Sequence, residues 1–144
     1  MNDYKISDNF SLSEFNYVKP EDSLLMLLQG IRDVVEEEVR IIDSTRTVYE
    51  HIAIYNEKYG EDWFNYIPWG SRHLSTFRKD LEASDIRAVK TRDYKGNPET
   101  WWRGDMLAEI AKKEAKKLGI NIGTGVGQIM LHVDLRDKDT EWHY

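Results

Sequence analysis

Cysteine is absent from the 144 residues. Thiolate metal sites, cysteine nucleophiles and disulfides are excluded with it. Positive charge is scarce as well. Twenty Lys and Arg stand against 26 Asp and Glu, a net charge of -6, which disfavours a polyanionic nucleic-acid partner. The local basic cluster Lys112, Lys113, Lys116 and Lys117 has the spacing of the solvated last turns of a helix, where cations suit the dipole. No apolar run is long enough to span a bilayer, so a membrane partner is not expected. The opening Met1-Asn2-Asp3-Tyr4-Lys5 lacks the basic-then-apolar form of a signal peptide. Synthesis in the cytoplasm is therefore expected, with any export by another route. Internal repeats, low-complexity segments and linkers are also missing.

Hydrophobic residues make up 40% of the chain and charged residues 32%, enough apolar surface for the core of one domain. Ser11 and Glu14 have capping-box spacing and predict a short helix anchored by Phe10, Leu12 and Phe15. Pro20 to Ser23 opens a helix whose Leu24, Leu27, Leu28, Ile31, Val34 and Val35 recur at helical spacing. Val39 to Asp43 reads as a strand, Ser44 to Thr47 as a polar turn, and Tyr49 to Tyr59 as a helix closed by Gly60. The aromatic stretch Glu61 to Gly70 either lines a groove or covers the end of a small core. Ala83 to Val89 reads as a strand with Ala83, Asp85 and Arg87 on one face. Lys95-Gly96-Asn97-Pro98 signals a turn. Trp101 to Leu118 reads as a helix burying Met106, Leu107, Ile110, Ala111, Ala115 and Leu118. Gly123 to Gly127 reads as a glycine-rich turn. It follows a helix and opens a strand, the reverse of a phosphate-cradling loop.

That last strand, Ile129 to Leu135, puts Leu131, Val133 and Leu135 on one face and Met130, His132, Asp134 and Arg136 on the other. A polar face of His, Asp and Arg beside an apolar one suits a site built on a sheet. Upstream, Trp69 to Arg87 supplies His73 and two aspartates, Asp80 and Asp85. Two imidazoles and one carboxylate make a mononuclear zinc site with one position left for water, the arrangement of a catalytic rather than a structural zinc. His51, in a helix, and His143, near the end, read as ordinary core or surface histidines. Arg46, on spacing alone, reads as a surface arginine.

The order of these parts resembles the zinc peptidases that cut peptidoglycan stem peptides, the D-Ala-D-Ala carboxypeptidases and the phage L-alanyl-D-glutamate endopeptidases. Matching segments are Phe10 to Phe15, Ser44-Thr45-Arg46-Thr47, Ser71-Arg72-His73 with Ala83-Ser84-Asp85-Ile86, and His132-Val133-Asp134-Leu135-Arg136, closed by Trp142-x-Tyr144. The resemblance implies a small single α+β domain over residues 1–144, with helices packed around a central antiparallel sheet that carries the metal site. It implies Zn2+ held by His73, Asp85 and His132, with Arg46 and Ser71 binding substrate. A short His-to-Asp gap, as in the simplest members, selects Asp80. An insertion selects Asp85, which also matches the family's Ala-x-Asp-Ile. Many members carry the catalytic acid three residues before the last His, where this chain has Ile129. Asp134 then stands as the catalytic carboxylate, either as base or as orienter of a ligand. The implied partner is a peptidoglycan stem peptide, acted on by a monomer at the cell wall after phage-type release or within a virion. A wall-binding or virion structural module with a degenerate site is the second reading.

Overall fold

Pro20 and Asp22 start the first long helix for the usual reasons: a preset φ at the entry and an acid in the first turn. In the computed structural model, which describes residues 3–43, 48–66 and 80–144, this helix is α1, Asp22–Val35. Leu24, Leu27, Leu28, Ile31 and Val35 share one buried face. Val34, expected on that stripe, falls on the solvent side. Ahead of it, Leu12–Phe15 forms a single 3-10 turn. The Glu14 carboxylate accepts the Ser11 backbone N–H at 2.7 Å, and Phe10 and Phe15 are buried.

Six strands follow in one sheet: β1 Val39–Asp43, β2 Ala83–Arg92, β3 Pro98–Trp101, β4 Ile122–Val126, β5 Leu131–Leu135 and β6 Thr140–His143. The order is β1-β2-β5-β4-β6, with β3 paired to β2. All pairings are antiparallel except β4 with β6. Helix α2, Val48–Tyr59, leads through a 3-10 turn, Gly60–Asp62, into the single turn α3, Trp63–Tyr66. The rings of Tyr55, Tyr59 and Tyr66 stack in series, with centroids 5.9 and 4.4 Å apart. His51 is buried against Tyr55.

Two expected boundaries move, each for a packing reason. Helix α4 spans Gly104–Leu118 rather than starting at Trp101. Trp101 instead ends β3, opposite Val89 of β2. Gly104 has its N–H on the Gln128 carbonyl at 2.8 Å, and a Cβ there would collide with the backbone of Gly127 and Met130. No side chain fits at that crossing. Leu107, Ala108, Ala111 and Ala115 form the buried stripe of α4, while Met106 faces out. The glycine-rich 122–126 segment is not a turn but strand β4, buried along its whole length.

Helices α1 and α4 lie on one face of the sheet. Ile86, Ala88, Ile122, Val126, Leu131 and Val133 meet them in one apolar core. The chain is thus a small α+β domain with a mostly antiparallel sheet, as expected. No helix among the described residues is long and apolar enough to cross a membrane.

Candidate functional site

The strand period that sends Ile86, Leu131 and Val133 into the core sends their neighbours to the opposite face. Register then decides which of these neighbours meet. Asp85 of β2 pairs with His132 of β5, and His132 pairs in turn with Gly125 of β4. His132 Nδ1 lies 2.8 Å from Asp85 Oδ1. His132 Nε2 lies 2.7 Å from Asp134 Oδ2. Arg136 completes the row, donating from Nε to Asp134 Oδ1 at 2.6 Å and from a terminal nitrogen to Oδ2 at 3.0 Å. Arginine, carboxylate, imidazole and carboxylate thus form one continuous chain across β5 and β2.

Asp134 is 1% exposed and His132 6%. Burial alone would raise the Asp134 pKa, but the bonds from His132 and Arg136 outweigh it and hold the group at about 2. Burial of the His132 ring would disfavour its charged form. The flanking Asp134 and Asp85 carboxylates reverse that, and its pKa lies above the ordinary value. Each ring nitrogen thus has a carboxylate oxygen within hydrogen-bond distance.

The glycines of β4 make room for this row. A Cβ at Gly123 would run into the Arg136 guanidinium and approach Asp134 Oδ1 to 2.5 Å. A Cβ at Gly125 would approach the Trp142 indole to 2.8 Å. Trp142 of β6, in register with Gly125, lays its ring 5.2 Å from the His132 ring, centroid to centroid. The Arg136 guanidinium sits 4.8 Å from the same indole. The chemistry of β5 therefore rests on bare backbone, walled by one tryptophan.

Of the acids considered from the sequence, Asp85 is the one that register brings to His132. Asp80 instead lies 3.4 Å from Lys19 Nζ at the surface. Asp134 joins the site through the far nitrogen of the same ring. His73, Ser71 and Arg46 lie outside the described residues. Among the described residues, no three His, Asp or Glu side chains gather closely enough to hold a metal by themselves.

Sequence reasoning left three participants unassigned. Asp43 of β1 falls opposite Asp85, after a bulge at Ile42 shifts the register. Arg87 lies two residues beyond Asp85 on the same face, a position that alternation does place correctly. Arg40 falls opposite Arg87, which no one-strand pattern can reveal. The chain matches no family model, no curated protein and no solved structure.

Proposed function

We propose that the protein is a zinc-dependent peptidase hydrolysing amide bonds in peptidoglycan stem peptides. The observation that carries this reading is the convergence of Asp85 and His132, 47 residues apart, at a 2.8 Å contact on a polar sheet face. Imidazole nitrogen and carboxylate oxygen are both zinc donors, with bonds of about 2.0–2.2 Å. The second ring nitrogen already rests on a carboxylate, the outer support that zinc-binding histidines use to set tautomer and ring orientation. The two described donors suit zinc, with Asp85 and His132 as proposed ligands and His73, outside the described residues, as the proposed third. Zinc, when bound, supplies a water of lowered pKa and a Lewis acid for the amide carbonyl.

In this reading the chain's own residues divide the work. Asp134, engaged on both oxygens and held at about 2, is a weak proton acceptor near neutrality. It acts as the orienter of His132 rather than as the base. Arg136 keeps Asp134 ionised and in place. Trp142 excludes water from one side of the ring. Arg46 and Ser71 remain the proposed substrate contacts.

The second reading is a wall-binding or virion structural module with a catalytically weak site. Ile129, where many members of the resembled family carry their acid, favours it, and so does the full engagement of Asp134. The two readings separate on one experiment. Zinc-loaded protein is incubated with purified peptidoglycan, and newly exposed amino groups are counted. A peptidase releases them, and a chelator or His132→Ala abolishes the release. A module binds the wall, and His132→Ala leaves that binding intact, with no new amines at any zinc level.

A further inference from the structure

Next to the row of acids and His132 lies a pair of cations. Arg40 of β1 and Arg87 of β2 are register partners, and both share the sheet face of Asp85. Like charges placed directly opposite each other destabilise a strand pair unless something compensates them. Trp101 compensates in part. The Arg40 guanidinium sits 5.3 Å from its ring centroid and the Arg87 guanidinium 6.0 Å. Arg40 has a carboxylate as well, Glu38 at 3.2 Å, although Glu38 also accepts from Arg92. Arg87 has none among the described residues. Its Nε is buried and has no hydrogen-bond acceptor among the described residues. A buried donor on a guanidinium left without an acceptor is costly, and such groups are rare in folded proteins.

Arg87 is therefore a planar fork with an unpaired N–H among the described residues, held by an indole and reinforced by a second cation. Two strand positions separate it from Asp85, roughly 7 Å along β2. A carboxylate matches the fork geometry of a guanidinium in a way that a neutral amide does not. We propose that Arg87, backed by Arg40 and Trp101, is the binding site for a carboxylate of the ligand processed at Asp85 and His132. This rests on the peptidase reading for the identity of the ligand, but not for the chemistry of the site. A peptide whose free carboxylate lies about two residues from the bond presented at His132 spans that separation.

The test reads Arg87 directly, in the full chain, with and without one equivalent of zinc. The Arg87 Nε–Hε resonance is followed by NMR during titration with N-acetylalanine, each enantiomer separately, and with N-acetylalaninamide and sulfate as controls. The acid is expected to shift the Arg87 signal saturably, and the amide is not. Arg87→Gln is expected to weaken the acid about tenfold or more, and Arg87→Lys to recover only part of that, because it restores charge without the fork. No shift with the acid, an equal shift with the amide, or sulfate binding as tight as the acid overturns the proposal. If Arg87→Gln proves unfolded, the acid-versus-amide contrast in the wild type decides by itself. Failure of the peptidase reading looks different: zinc and cleavage are then absent while the acid still shifts Arg87 in the zinc-free chain.

Discussion

The two faces of the sheet are made by the same strands and are built on opposite rules. On the helix-covered face, Ile86, Leu131 and Val133 are fully buried in the apolar core, with the small hydroxyl residues Ser84 and Thr124 opposite Val133 on the neighbouring strands. On the other face, Asp85, Arg87, His132, Asp134 and Arg136 occupy the alternate positions of the same two strands and of the residue just past β5. The first face carries the apolar core, and the second carries the proposed ligand chemistry. The backbone between them serves both, so Asp85, His132 and Asp134 stand on regular strands.

The comparison implies effects that differ in kind as well as size. Leu131→Ala, on the core face, should destabilise folding by about 2–5 kcal/mol, seen as a shift in the denaturant midpoint, with metal affinity of the folded protein unchanged. Asp85→Asn, one register step away on the other face, should do the reverse. Zinc binding measured by calorimetry should fall more than the 10–100-fold typical of outer-shell changes, while the fold persists. Equal effects of the two substitutions on stability would erase the division between the faces.

Asp134→Asn should sit between these, lowering zinc affinity by about 10–100-fold, because Asn still accepts from His132 but leaves Arg136 without its carboxylate. The same residue sets the pH response of the zinc-free protein. Asp134 titrates below its unfolded value, so its contribution is complete above about 4 and is lost as pH falls through about 2. His132 titrates above its ordinary value of 6.5, so its contribution is present below 6.5 and is lost as pH rises through the higher folded value. Zinc needs the neutral ring, so its affinity should climb over the range where zinc-free stability declines. Thermal unfolding at several pH values, with and without zinc, should show those opposite slopes, and parallel slopes would contradict the assignment. The smallest effect belongs to Asp80→Asn. This exposed partner of Lys19 should leave zinc affinity unchanged within error.

Period two and helical spacing made most of this fold legible. The polar and apolar faces of β5 and β2, the stripe of α1 and the pairing of Asp85 rather than Asp80 with the last histidine all followed from local pattern or family likeness. What local pattern missed was set by contacts between strands. Gly123 and Gly125 read as turn residues because glycine usually punctuates the chain. Here they are strand residues kept bare by Asp134, Arg136 and Trp142 pressing on them. Trp101 read as helix because its role depends on Val89 across a hairpin. Arg40 and Asp43 acquire meaning only from their register with Arg87 and Asp85, and register is invisible in one strand.

The central claim is that His132 and Asp85 belong to a metal centre and are not merely a buried ion pair. Elemental analysis of the full chain after zinc loading and desalting tests it directly, with His132→Ala alongside and folding verified by circular dichroism. The account expects one zinc per chain in the wild type and almost none in folded His132→Ala. A wild type that retains no zinc, or a variant that retains as much as the wild type, contradicts it.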